Sequence, residues 1–260
     1  MNHLQLAPGI DLYRGDCIEV MAELADLEVA ADAVVADPPY GIALRSRKHR
    51  RIANDATPMP EQFVKPMVGL MKPDSGMLLF TREDVMFVWR DEMVEAGLTS
   101  EPSFIWDKMR LSTGDTGADL ARQTETILVG HKGNPPLRRW VDHGRFFPDL
   151  DDVELDYRHE DNFWHIPAAR DRRSLDGHPT PKPPKLMQRA LLNYSDEGSV
   201  VLDPFMGGGP VGVAAVQLGR RYIGIELEED YFHLAVTNIQ RALAERLVIQ
   251  RLAERMRDEQ

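Results

Sequence analysis

Four short stretches of this sequence carry residues whose types and spacing can do chemistry. The first is Ala33–Tyr40, AVVADPPY, where an apolar strand pattern runs straight into Asp37-Pro38-Pro39-Tyr40. In an open α/β sheet, ligands bind beyond the carboxyl ends of the strands. The two prolines fix φ at consecutive positions and supply no N–H. The turn therefore offers a rigid carboxylate, a carbonyl and an aromatic ring at one place. A planar base bearing an exocyclic NH2 suits that set. The Asp37 carboxylate and the Pro38 carbonyl accept its two N–H bonds, and Tyr40 stacks on its face. The plainer reading of these residues alone is a Pro-rich turn capped by Asp.

The second stretch is Ser199–Ala215, SVVLDPFMGGGPVGVAA: a strand, Asp203, Gly207-Gly208-Gly209, then a helix of small residues. Glycines let the backbone approach a ligand closely, and the helix N-terminus follows at once. Pro210 suits the first helical position. The next strand pattern, RRYIGIELEEDY, ends in Glu226. An acid there, about 20 residues after the glycine turn, accepts hydrogen bonds from ribose hydroxyls. The pair implies an adenosine-bearing cofactor. A hydride-transferring dinucleotide enzyme is one reading of this pair, but it leaves Asp37-Pro38-Pro39-Tyr40 unexplained. The third stretch, GHPTPKPP (Gly177–Pro184), alternates prolines with His178, Thr180 and Lys182. Such a run holds an extended shape and presents side chains at fixed spacing, or simply serves as a rigid connector. The fourth is Tyr13–Asp16, YRGD. Asp16 is either an acceptor for an adenine amine or an ordinary turn Asp.

The elements that must position these residues follow an α/β rhythm, short apolar runs alternating with helical patterns, which implies a largely parallel sheet. Strands are expected at Ile10–Tyr13, Ala33–Ala36, Gly76–Phe80, Ser103–Trp106, Glu125–Gly130, Ser199–Leu202 and Arg221–Glu226. Helices are expected at Pro60–Met71, Asp84–Ala96, Lys185–Asn193, Val211–Leu218 and Tyr231–Arg257. The last carries Ile239, Leu243, Leu247 and Leu252 toward the sheet or a partner. Residues 107–177 break the rhythm and read as an insertion shaped by substrate, though it contains strand-like segments.

The 260 residues, 43% hydrophobic and 28% charged, suffice for one large domain with an insertion. A single Cys excludes a disulfide scaffold and a Cys-based zinc site, and fits a reducing compartment. No apolar run reaches the ~18 residues of a membrane span, and no secretory signal is legible. The net charge of −11 argues against a polyanionic partner. Its distribution argues otherwise: RSRKHRR, residues 45–51, holds Arg45, Arg47, Lys48, Arg50 and Arg51 with no acid. Such a loop can hold a phosphate backbone, or be merely solvated. The opposite extreme is Asp149–Asp161, rich in Asp and Glu.

Taken together, DPPY, then HPTPKP, then VVLDPFMGGG and YIGIELEEDYF closely resemble the S-adenosylmethionine-dependent DNA amino-methyltransferases of the β-class motif order. The segments FIWDK, TETILVGHKG and NFWHIP are similar to core segments of the same family, so the resemblance covers nearly the whole chain. It implies a Rossmann-like methyltransferase fold: a mostly parallel seven-stranded sheet, helices on both faces, and a target-recognition insertion. It implies that Asp37, Pro38, Pro39 and Tyr40 form the catalytic turn. Asp203, Phe205, Gly207 and Gly209 would cradle the cofactor, Glu226 would bind its ribose, Asp16 would face its adenine, and Thr180 and Lys182 would border its pocket. Double-stranded DNA is the implied substrate, with no metal, and the bacterial or phage-encoded protein would act in the cytoplasm, often within restriction–modification. A homodimer, and a protein partner at the acidic segment 149–161, are further expectations. One departure is that Gly207-Gly208-Gly209-Pro210 stands where the family usually has GSGT, losing two hydroxyls; the acidic run is another.

DPPY leans to adenine N6 by resemblance, although cytosine N4 is also an aromatic amine. A binding module without catalysis on the same fold is the alternative of a different class. C5-cytosine methylation needs a nucleophilic Cys beside Pro, whereas Cys17 follows Asp16 and reads as packing. His159 and His165 lack metal-ligand spacing. The reading requires that the turn at Asp37 and the glycine bend near residue 207 open into one shared site.

Overall fold

The computed structural model describes residues 2–39, 60–109, 123–135, 162–168 and 182–258. In chain order its elements are β1 (Asn2–Ala7), β2 (Ile10–Arg14), α1 (Cys17–Asp26), β3 (Ala31–Ala36), α2 (Pro60–Gly69), β4 (Met71–Thr81), α3 (Met86–Glu95), β5 (Thr99–Asp107), β6 (Thr124–Lys132), β7 (Phe163–His165), α4 (Pro184–Tyr194), β8 (Val200–Asp203), α5 (Pro210–Gln217), β9 (Arg221–Glu226) and α6 (Glu229–Asp258). The strands form one sheet in the order β1-β2-β9-β8-β3-β4-β6-β5-β7. From β2 through β4 every pairing is parallel. Strand β6 then runs antiparallel between β4 and β5, and β7 adds to β5 in parallel.

The central strands are buried on both faces, and alternation sends their side chains to two cores. Ala33 and Val35 of β3, Leu78 and Phe80 of β4, and Tyr222 of β9 pack under α4, α5 and α6. Val34, Ala36, Met77, Leu79 and Ile223 pack under α1, α2 and α3. Helices therefore cover both faces, as expected. Each fully buried large apolar side chain, such as Leu12, Met67 or Leu79, contributes about 1.5–3 kcal/mol relative to exposure.

The sheet has nine strands among the described residues rather than seven. The first extra strand, β1, is an exposed, polar edge strand that folds back on β2 through a turn at Pro8-Gly9, with Gly9 at φ 79°. Its only apolar alternation is Leu4 and Leu6, the latter against the core, too short a period to single out a strand. The second, β7, is three residues long and exists because Trp106 and its neighbours on β5 accept it as a parallel partner. Helix α1 also went unpredicted, although Val20, Met21 and Leu24 form its buried stripe. Helix α2 ends at Gly69 rather than Met71, because Met71 already pairs with Ala31 as the first residue of β4. Within 107–177, β6 and β7 belong to the main sheet.

Candidate active site

Five adjacent strands, β2, β9, β8, β3 and β4, point their carboxyl ends to the same edge of the sheet. Along that edge the chain places Asp16, Glu226, Asp203, Asp37 and Thr81 at or just beyond the strand ends. Parallel pairing produces this row, because each strand ends in register with its neighbour. The turn at Asp37 and the glycine bend near residue 207 thus follow neighbouring strands, β3 and β8, and face the same side.

Asp203 is buried, and both its oxygens are engaged. Oδ1 accepts from the Phe205 N–H at 3.2 Å and Oδ2 from the Tyr222 hydroxyl at 2.9 Å. Burial pushes its carboxyl up to about 7 against those two hydrogen bonds, and the charges of Asp37 and Glu226 push the same way. Burial raises Glu226 as well, opposed by backbone donors. Its Oε2 accepts from the Gly207 N–H at 2.7 Å and its Oε1 from the Glu228 N–H at 2.8 Å. Glu226 thereby ties the glycine bend to the end of β9, and each oxygen retains a second lone pair for a hydroxyl.

Gly209 caps α5 in the left-handed region, φ 80°, with Pro210 opening the helix. A Cβ on Gly209 would lie 3.0 Å from the Ala235 Cβ, so α6 presses directly on the bend. Asn238 of α6 adds a buried hydrogen bond to the Gly208 carbonyl at 2.9 Å. The bend is held from beneath by α6 and from the side by Glu226, without the two hydroxyls the family usually has there. Phe205 packs edge-on against Phe63 at 5.1 Å. Asp16 acts as the N-cap of α1, accepting from the Ile18 N–H at 2.8 Å. It stands beside Glu226, whose carbonyl accepts from the Gly15 N–H.

Asp37 closes β3 with its side chain 35% exposed, while Lys182 behind it is 9% exposed. Lys182 Nζ donates to Asp37 Oδ2 at 2.7 Å. It also lies 3.2 Å from Glu125 Oε2, an ion pair rather than a well-directed hydrogen bond. Burial acts to lower the Lys182 ammonium's pKa, and the Asp37 and Glu125 carboxylates outweigh it, holding the group above the ordinary lysine range. Glu125 Oε1 in turn meets Lys108 at 2.9 Å. Lys182, expected to border the cofactor, meets the Asp37 and Glu125 carboxylates.

Pro38 is buried and Pro39 half-buried beside Asp37. Tyr40, Thr180 and the basic residues Arg45, Arg47, Lys48, Arg50 and Arg51 lie outside the described residues, as do the acidic run 149–161 and His159. Burial pushes the Cys17 thiol up to about 12, so no thiolate nucleophile forms there. His165 pairs with Asp107 at 3.0 Å. Among the described residues no group of three or more His, Cys, Asp or Glu side chains is arranged to hold a metal, and no helix is long and apolar enough to cross a membrane.

Sequence reasoning missed Glu125, Tyr222 and Asn238. Tyr222 left a faint signal, a hydroxyl inside an otherwise apolar buried strand, where such a group needs a partner. Glu125 left none, because its strand runs antiparallel and only the sheet brings its amino end to this edge.

A family described as DNA methylase, N6_N4_Mtase, matches residues 31–237, from β3 into α6 and across both corners of the site. The chain belongs to the N6/N4 DNA methylase family. The methylase is 31% identical over 226 residues to the Escherichia coli (strain K12) protein YubD, which bears a methylase name, covering 84% of this chain and 85% of that one. Among solved structures it is similar to the M1.HpyAVI–SAM complex, with a TM-score of 0.65 and 22% identity over 87% of this chain and 98% of that one. It is also similar to the PvuII DNA methyltransferase, described as cytosine-N4-specific, with a TM-score of 0.63 and 17% identity over 90% of this chain and 92% of that one. Both likenesses establish the Rossmann-like methyltransferase fold expected from the motifs.

Proposed function

We propose that this DNA methylase transfers a methyl group from S-adenosylmethionine to the exocyclic N6 of an adenine flipped out of double-stranded DNA. The observation that carries the reading is the shared strand edge. The half-buried Asp37 carboxylate at the end of β3 stands beside the buried Asp203 at the end of β8, with the half-buried Glu226 next at the end of β9. An acceptor corner and a donor corner thus meet in one place. Support for the cofactor comes from the SAM held by M1.HpyAVI, which has the same fold.

The donor corner suits that cofactor chemically. Two acids with raised pKa values form an environment that a sulfonium and an ammonium relieve. Glu226 keeps lone pairs for a ribose diol, and the glycine bend admits a close-lying ligand at the start of α5. S-adenosylmethionine supplies a methyl group already activated on sulfur, so the chain needs alignment more than a strong base. Phe205, Gly207 and Gly209 would line this corner, Asp16 would receive an adenine amine beside its capping bond, and Thr180 would border it.

At the acceptor corner, the Asp37 carboxylate and the Pro38 carbonyl accept the two amine N–H bonds. The amine nitrogen is a poor nucleophile because its lone pair is delocalised into the ring. Two acceptors below the ring plane favour a pyramidal nitrogen whose lone pair points at the methyl. Pro39 stiffens the turn, Tyr40 stacks on the base, and Asp37 receives the proton during or after transfer. Unpairing the base costs a few kcal/mol, and the basic residues 45–51 are placed in sequence to hold the backbone meanwhile.

The test is expression in a methylation-free host followed by sequencing of modified bases. N6-methyladenine in one sequence context is expected, and Asp37→Asn should remove it while the protein still folds. Asn is the gentler change, since it keeps a side-chain oxygen that can accept from Lys182, whereas Ala leaves that buried donor with none there. Marks on cytosine N4 would overturn the adenine assignment, and cofactor binding with no marks would overturn catalysis.

A further inference from the structure

Asp37 is a short side chain on a two-proline turn at the rim of the site, yet its usefulness as an acceptor depends on where its oxygens point. The sheet supplies an anchor behind it. Lys182, just before α4, runs its stem beneath the turn and ends with Nζ 2.7 Å from Asp37 Oδ2 and 3.2 Å from Glu125 Oε2. The Phe80 ring lies under the same ammonium, its centroid 5.2 Å away. Glu125 is held in turn by Lys108. Four charges of alternating sign therefore form a row, Asp37, Lys182, Glu125 and Lys108, with Lys182 the most buried of them. Four separate segments supply them, the ends of β3 and β5, the start of β6, and the lead into α4.

We infer that Lys182, fixed by Glu125, is a positioning residue for the Asp37 carboxylate rather than a cofactor ligand. It acts by pinning Oδ2, which sets the rotation of the carboxylate toward the target amine. The charged groups facing Asp37 among the described residues are Lys182 and Asp203, with Glu125 on the far side of the ammonium. Without Lys182, the carboxylate loses the donor that fixes Oδ2. This inference rests on the reading of Asp37 as the acceptor of the amine.

The experiment compares wild type, Lys182→Met, Lys182→Arg and the double variant Lys182→Met/Glu125→Gln. The double variant removes both charges of the inner pair, so the fold is not left with an unmatched Glu125 even if Lys182→Met alone folds poorly. Calorimetry with S-adenosylmethionine alone measures cofactor binding. Methyl incorporation into DNA from a methylation-free host gives kcat and KM. Expected for Lys182→Met and for the double variant is cofactor affinity within about twofold of wild type and KM for DNA little changed. The kcat should fall about 100-fold, the loss a misplacement of about 1 Å produces. Lys182→Arg should recover about a tenfold part of that loss. A folded double variant with wild-type kcat overturns the inference, as does a loss that tracks weakened cofactor binding, or one that appears in KM for DNA and shows no rescue by Arg. If wild type methylates no DNA, the parent reading falls, and this inference with it; an active wild type matched by its variants overturns the positioning role alone.

Discussion

Replacing Asp203 by Asn should make the protein more stable at alkaline pH while weakening its cofactor site. The carboxyl is raised from an ordinary value near 3.8 to about 7, chiefly because burial penalises its charge. The folded protein therefore keeps a proton that the unfolded chain gives up. Stability from this group is fully present below the unfolded value and is lost as pH rises toward 7. Each pH unit in that window is worth about 1.36 kcal/mol. Between pH 5 and pH 8 the wild type should lose about 3 kcal/mol through Asp203, from the two units between 5 and 7. Asn removes the titration and fills the same space. Its oxygen accepts from the Phe205 N–H, and its amide donates to Tyr222 Oη once the phenol turns. Urea unfolding of both proteins without cofactor, at pH 5 and pH 8, reads the difference. Glu226 titrates in both, and its coupling to Asp203 is contained in the difference. The stability gap should shift by about 3 kcal/mol in favour of Asp203→Asn between the two pH values. A shift below about 1 kcal/mol would refute the claim that Asp203 is buried with an uncompensated charge. The stabilised variant should also bind S-adenosylmethionine more weakly, the usual tension between stability and a strained site.

Gly209→Ala should destabilise the protein by about 1–3 kcal/mol, since it forces a side chain into the left-handed region and against Ala235; thermal unfolding checks this, and calorimetry should show weaker cofactor binding. Asn238→Ala leaves the buried Gly208 carbonyl without its side-chain donor and should cost about 1–3 kcal/mol in urea unfolding. Neutralising Arg45, Arg47, Lys48, Arg50 and Arg51 together should weaken DNA binding and flatten its dependence on salt, with the log–log slope falling by up to about 4. An unchanged slope in filter binding would free those residues of any backbone contact.

Much of the site was legible before any coordinates. Strand pattern, Asp, then two prolines or three glycines are local signals, since Pro ends a ladder and Gly permits the bend where the strand stops. So Asp37, Asp203, Gly207, Gly209 and Glu226 could be named from spacing, and all five lie on one edge of the sheet. The α/β class and the two-sided helix cover were equally legible, because the apolar runs of β3, β4, β8 and β9 only make sense buried on both faces. The edge strand β1 and the three-residue β7 were not, since the Leu4 and Leu6 alternation of the one and the length of the other are too short to read as a period.

What tertiary structure alone decided is which charges meet. Lys182 sits in a proline run 145 residues from Asp37, and no local rule links them. Glu125 enters from a strand of opposite direction, and Tyr222 reaches Asp203 only because β8 and β9 pair in parallel. Composition and period determine which residues must be buried and which turns must open; they act within a few residues. The energy of an ion pair depends on distance and on the water excluded around it, and both are set only when separate segments close on one another.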